Sequence, residues 1–405
     1  MTPEQEPTPA RAVEAARALA PHLAGRAERY DRDGAFPAED FADIKAAGLM
    51  GLMAPCRLGG AGAGFADYAE VAMALAAGNG ATALVYNMHA SVTGALALTP
   101  DNVARALGAP ESFSVMRDRV LRATVHDAAF YAVAMSERGV GSRLSRVRTT
   151  YEPVDGGWRI KGAKAFCSGA GHADAYLVAA RRARTDQSDQ VGAGQDPCVS
   201  YFLAPAGDGV TVERTWDALG MRATASHDLH LDTVVPADAL LGVEGLTLLL
   251  AQVMPQWLVA SYAAVYVGVA QAALDAAAAR TADRGLARLP AVRARLGRAD
   301  ARVAAAREVV REAARRVDTA TGTPETNRWI WRAKLLAGET AMDVAASMLE
   351  ACGASATRRG DPLERLYRDA RCGSLQPATS DVCADWLGYA ACGLDPERDA
   401  EVPRW

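Results

Sequence analysis

A change of hydrophobic period, twice along the chain, constrains this sequence more than any other feature. From Pro9 to about Ala97 apolar residues recur at helical spacing, as in "DYAEVAMALAAGNGATALVYNMHASVTGALAL", interrupted by a loop carrying Gly59, Gly60, Gly62 and Gly64. Between roughly Ala128 and Leu241 the texture becomes short β-type runs, among them "FYAVAMS", "WRIKGAKAF", "AYLVAAR", "VSYFLAP" and "DLHLDTVV", separated by Gly-containing turns. From Val243 the helical period returns in "WLVASYAAVYVGVAQAALDAAAARTADR" and two further long segments. The pattern predicts an α+β chain in three successive blocks: a helical domain over 1–127, a β domain over 128–242 and a helical bundle over 243–405. Inside the β block, the polar stretch "RARTDQSDQVGAGQD" reads as an exposed hairpin loop.

At 405 residues, half of them hydrophobic, the chain can bury two or three substantial cores. A net charge of −4, with bases and acids interspersed along the helices, points away from nucleic acid and acidic membrane surfaces as partners. The seven cysteines are scattered without a C-x-x-C pair, which speaks against a disulfide framework or a zinc site, and no metal is expected. His227 and His230 sit three apart on a strand and would face opposite ways. The N-terminal segment has acids and prolines where a signal peptide needs a basic start and an apolar run, so a cytoplasmic location is expected.

Four stretches, "AMSERGVGSR", "GWRIKGAKAFCSGAGHADAYLV", "WDALGMRATASHDLHLDTVVPADALLG" and "DPLERLYRDAR", occur in the order in which they resemble the acyl-CoA dehydrogenase superfamily of flavoproteins. "FPAEDFADIKAAGLMGLMAPCRLGGAGAGFADYAEVAMALA" extends the resemblance over nearly the whole chain. It implies an N-terminal helical domain, a middle β barrel and a C-terminal four-helix bundle, assembled as a homotetramer or homodimer. It also implies a bound flavin, FAD with FMN as the other option, and electron exchange with a flavin reductase or an electron-transfer flavoprotein.

The resemblance assigns roles to individual residues. Ser136 matches the hydroxyl that meets the pyrimidine edge of the flavin, Ser142 the one near the cofactor phosphates or the substrate, and Gly141 the loop that lets backbone approach. Phe166 stands where an aromatic packs on the flavin, Ser168 where a hydroxyl bonds its N5, and Thr379 among the cofactor contacts. Arg284 and Gly353 match positions through which a neighbouring subunit holds the dinucleotide. Ala287 and Glu350 depart there from the usual aromatic residue and glutamine, which weakens the grip on that end. The residues agree independently: glycines admit a ligand close to backbone, and an arginine fork suits phosphate.

The position matching the catalytic glutamate of fatty-acyl members is Pro377 in "RCGSLQPATSDVC". Proline has neither an ionisable group nor a backbone N–H, so both the base and a donor to the thioester carbonyl are lost. An alternative base position on the first bundle helix is occupied by Trp257, Leu258 and Val259. Asp381 and His89, in "YNMHASVTG", remain as candidate catalytic groups beside Ser168, with Trp257, Leu258, Leu375 and Pro377 as pocket walls.

Three functions follow from this. A monooxygenase or oxidase, in which reduced flavin meets O₂, needs a water-excluding pocket more than a carboxylate, and accommodates Pro377. It would act on a small organic or carrier-bound substrate. The other readings are an acyl-CoA or acyl-carrier-protein α,β-dehydrogenase with a displaced base, and a flavin-binding homologue without turnover. The chemistry at Pro377 favours the first.

Overall fold

The computed structural model describes residues 7–99, 101–183, 198–247, 250, 256–396 and 399, and of residues 256–261 the backbone alone. The polar stretch read as a hairpin loop lies, over 184–197, outside the described residues.

Helix α1 (Pro9–Asp33) starts where Thr8 accepts from the Arg11 N–H at 3.4 Å and ends on Gly34, whose left-handed φ of 60° is a common helix stop. After α2 (Ala38–Ala46) and the glycine loop come α3 (Phe65–Gly78) and α4 (Gly80–Ala97). Asn79 caps α4 by accepting from the Ala81 N–H at 3.1 Å. Nearly every side chain of α4 is buried, so it is the central helix of this part, with α5 (Asp101–Ala106) and α6 (Ser112–His126) completing it.

The middle part is one curled seven-stranded sheet in the order β1-β4-β2-β3-β7-β6, with β5 also paired to β4. Its strands are β1 (Tyr131–Ala134), β2 (Thr150–Val154), β3 (Gly157–Cys167), β4 (Ala175–Arg182), β5 (Val199–Pro205), β6 (Val210–Glu213) and β7 (His227–Pro236). β1 and β2 both run parallel to β4, and the remaining pairs are antiparallel. One irregularity matters for the site: the β3–β7 register shifts between Lys164 and Cys167. The bulge bends the strand there and turns Phe166 outward.

The C-terminal bundle comprises α7 (Gln256–Asp283), α8 (Pro290–Ala320), α9 (Pro324–Cys352), α10 (Pro362–Arg371) and α11 (Ser380–Ala391). The stretch Tyr262–Asp283 of α7 is long and apolar enough to cross a membrane, but 61% of its most apolar window is buried, mostly against α9 and α3. At Gly268 a Cβ would stand 2.5 Å from the Met73 carbonyl oxygen, so only glycine allows α7 this close to α3.

Buried charges join the three parts. Arg368 of the "RDAR" stretch donates to both carboxylate oxygens of Asp31 in α1, at 3.0 and 2.6 Å. Its neighbour Asp369 accepts from the Met221 N–H of the middle part at 2.6 Å. Paired acids hold the Arg368 guanidinium in its charged form against burial, raising its pKa. The motif is therefore a three-way tie, and it fixes the loop before β7.

Candidate active site

Ser136, Ser142, Phe166 and Pro377 line one small cavity of about 60 Å³, closed by Met88, Val133, Met135, Leu144 and Tyr262. The walls come from α4, β1, the loop after β1, the β3 bulge, α7 and the segment before α11. No carboxylate and no charged side chain lines it among the described residues.

The loop from Ser136 to Ser142 is held from below by a buried ion pair that the sequence reading did not single out. Glu137 accepts from Lys164 Nζ at 2.8 Å, from the Arg148 and Thr149 N–H groups at 2.7 and 3.0 Å, and from the Thr149 hydroxyl at 2.7 Å. Burial pushes the Glu137 carboxyl up, but Lys164 and these donors outweigh it and hold the group below its ordinary value of 4.5. Left-handed turns at Gly139 (φ 75°) and Gly141 (φ 70°) close the loop, and Glu137 and Gly141 bond each other's backbone at 3.0 and 2.9 Å. Lys164 lies on β3, so one pair fixes both the loop and the strand that carries Phe166.

Phe166 has φ 57°, a region that bulky side chains rarely occupy, and is 59% exposed. A strained backbone that presents an apolar ring to open space marks a surface meant to be covered. Trp216 stands edge-on to it at 6.2 Å between centroids, another residue the sequence reading passed over.

Behind the ring, Ser168 is buried and begins a chain of hydroxyls. Its Oγ lies 2.9 Å from Ser226 Oγ, which lies 2.6 Å from Thr224 Oγ1, which donates to the Met221 carbonyl at 2.9 Å. Because the chain ends on a carbonyl, each hydroxyl proton points inward along it. Ser168 is left presenting lone pairs, an acceptor for an N–H outside.

Other expected residues fall elsewhere. His89 is buried, its Nε2 donating to the Met50 carbonyl at 2.8 Å and its Nδ1 accepting from the Tyr131 N–H at 3.2 Å. Burial pushes its pKa down to about 4. A neutral ring with both nitrogens engaged by backbone has no proton to offer the cavity, so His89 is a structural histidine and not the catalytic group expected of it. Asp381 is exposed in the first turn of α11 and does not line the cavity; the helix start capped by Thr379, 3.4 Å from the Val382 N–H, explains an acid there. Leu375 is 57% exposed and is not among the cavity walls, while Gln376 turns inward to accept from the buried Tyr266 hydroxyl at 2.9 Å. The side chains of Trp257 and Leu258 lie outside the described residues. Tyr262, one helical turn beyond Leu258, lines the cavity from the same helix.

Arg284 and the Gly353 turn do come together, at the far end of the bundle: Arg284 Nη1 donates to Ser355 Oγ at 2.8 Å, two residues past Gly353. Arg280 reaches the same hydroxyl at 3.0 Å. Glu350 is an exposed ion-pair partner of Arg295.

This layout has counterparts. The acyl-CoA dehydrogenase N-terminal, middle and C-terminal domains match residues 8–99, 132–234 and 257–385. L-evernosamine nitrososynthase of a Micromonospora species is 32% identical over 94% of this chain and 89% of its own. The chain belongs to the acyl-CoA dehydrogenase family. Membership makes it a flavin-dependent oxidoreductase. The putative acyl-CoA dehydrogenase YdbM of Bacillus subtilis is 29% identical over 89% of this chain and 91% of its own. Among solved structures, FMN-bound TdsC from Paenibacillus sp. A11-2 superposes with a TM-score of 0.81 at 26% identity, covering 95% and 97% of the two chains. KijD3, in complex with FMN and a dTDP-linked amino keto sugar, gives 0.81 at 27% identity, covering 96% and 95%.

Proposed function

We propose that this chain is a flavin-dependent monooxygenase or oxidase that works through reduced flavin and O₂ on a small organic or carrier-bound substrate. The observation that carries this reading is Pro377, a wall of a cavity that no carboxylate lines among the described residues. An α,β-dehydrogenase needs a base within hydrogen-bond reach of the α-proton, directly or through one water. Neither Asp381 nor His89 offers one.

The residues suit a flavin by their own chemistry. The exposed Phe166 ring asks for a flat partner, and the Ser168 oxygen, left as an acceptor, matches the N5–H of a reduced flavin. Ser136 and Ser142 supply hydroxyls along the rim, with Thr379 nearby in the chain. Arg284, with the open backbone at Gly353, forms a phosphate-binding corner for a neighbouring subunit's cofactor, the role that would make the assembly a homotetramer or homodimer. FAD and FMN both fit this set; the exposed carboxylate of Glu350 and the small Ala287 weaken the grip on the dinucleotide end of FAD without removing it.

When bound, the reduced flavin supplies the reaction with O₂. The protein's part is to position and to exclude water. Met88, Val133, Met135 and Leu144 close the cavity with apolar surface, and Pro377 keeps an ionisable group out of it. Electrons reach such a site from a separate flavin reductase.

The test supplies reduced flavin to the purified protein under isotopically labelled O₂ with heteroaromatic substrates such as indole and benzothiophene. Label in the product supports the reading. Product formed equally without O₂ removes it.

A further inference from the structure

A second, larger space of about 170 Å³ lies against the cavity and shares Val133 and Met135 with it. Leu96, Phe113, Leu177 and Leu241 are among its walls, and no charged side chain lines it among the described residues. Among the described residues its side-chain hydroxyls each have a partner, that of Tyr201 only the Met135 sulfur at 4.0 Å. Thr99 donates to the Ala95 carbonyl at 2.6 Å and Ser91 to the Asn87 carbonyl at 2.8 Å.

Tyr262 differs from these. It lines the small cavity together with Pro377 and packs with the apolar cluster that includes Met88, Val92 and Val133. Its hydroxyl has no hydrogen-bond partner among the described residues, whereas the buried hydroxyls of Tyr68 and Tyr86 bond Asn87 at 2.8 Å and the Leu49 carbonyl at 2.6 Å. A half-buried phenol that opens into an apolar cavity gains from a partner, and a ligand can supply it.

We infer that Tyr262 is the hydrogen-bond donor that selects the substrate, and that the two spaces together take an uncharged molecule with one acceptor atom and a compact apolar body. The acceptor sits at Tyr262 in the small cavity, and the apolar body extends past Val133 and Met135 into the larger one. Burial pushes the phenol up to about 12, so it remains a donor throughout the neutral range. A charged ligand such as a nucleotide would enter walls that hold no counter-charge among the described residues, at a desolvation cost they do not repay. The inference rests on the placement of the reaction in this cavity under the reading above, but binding tests it without turnover.

Quinoline and naphthalene have nearly the same shape and differ in one acceptor nitrogen. Calorimetric titration of the flavin-loaded, oxidised protein should show quinoline binding about five- to tenfold more tightly than naphthalene, the scale of one hydrogen bond. Tyr262→Phe should abolish that preference and leave naphthalene affinity unchanged. Ala95→Phe, which fills the larger space, should weaken both ligands at least tenfold, and dTDP should not bind. A preference for quinoline that survives Tyr262→Phe would overturn the role of Tyr262. Naphthalene binding unaffected by Ala95→Phe, or dTDP binding more tightly than quinoline, would overturn the substrate class. None of these outcomes depends on O₂, so they separate this inference from the proposed function.

Discussion

Pro377 and Phe166 line the same cavity, one from the segment that leads into the last helix and the other from the bulge that ends β3. More than two hundred residues apart in the chain, they are brought together where an aromatic platform faces a position that carries no base. The pairing fits flavin contacts kept with proton abstraction lost.

If position 377 borders open space, Pro377→Glu is tolerated. A carboxylate there can remain solvated or rise in pKa instead of unfolding the chain. Thermal unfolding should fall within a few degrees of the wild type, consistent with a change below about 1 kcal/mol. A collapse of the melting temperature would show Pro377 to be packed core.

Phe166 holds a left-handed backbone that costs on the order of 1–3 kcal/mol for such a residue. Phe166→Gly should therefore leave the flavin-free protein as stable as the wild type or about 1 kcal/mol more stable, while flavin binding weakens. Denaturant melts with and without flavin check both halves.

The Glu137–Lys164 pair should be costly to break. Removing one partner of a buried pair typically destabilises by about 3–5 kcal/mol, so Glu137→Gln and Lys164→Met should each show a loss of this order in denaturant titration. The folded Glu137 pKa is depressed, so its contribution is complete above the ordinary value of 4.5 and is lost as pH falls through the lower folded value. In acid, as the Glu137 carboxylate takes up its proton, the gap between wild type and Glu137→Gln should narrow.

His89 titrates at about 4 when folded against an ordinary 6.5. The unfolded chain thus binds the proton first, and stability present above pH 6.5 declines by about 3 kcal/mol as pH falls toward 4. The imidazole resonances should report a neutral ring at pH 5. A ring protonated at that pH would return His89 to the candidates for proton transfer.

Much of this was legible in the sequence, because the motifs stand in order and each carries a local constraint. The strand and turn around Phe166, the glycine loop after Ser136 and the proline at 377 need only neighbours to be recognised. What escaped depends on facing and on distant partners. A histidine on α4 reads alike whether it turns to a cavity or to the Met50 carbonyl, since nearly all of that helix is buried. Asp381 is close to Pro377 in the chain, yet the helix that begins at Ser380 carries it to the surface. Tyr262 lay one turn beyond the Trp257–Val259 window, on a spacing that returns it to the same helix face. Glu137 and Lys164 are 27 residues apart, and only the packing of the loop after β1 onto β3, where the Ala165 N–H donates to the Ser136 carbonyl, makes them partners.

A site with Pro377 in the place of a base should not abstract an α-proton. The most direct test loads the protein with oxidised flavin and mixes it, without oxygen, with saturated acyl-CoA thioesters of short and medium length, following the flavin absorbance. The flavin should stay oxidised and no enoyl thioester should be released. Rapid bleaching with enoyl product would contradict this, and would require a base at the site.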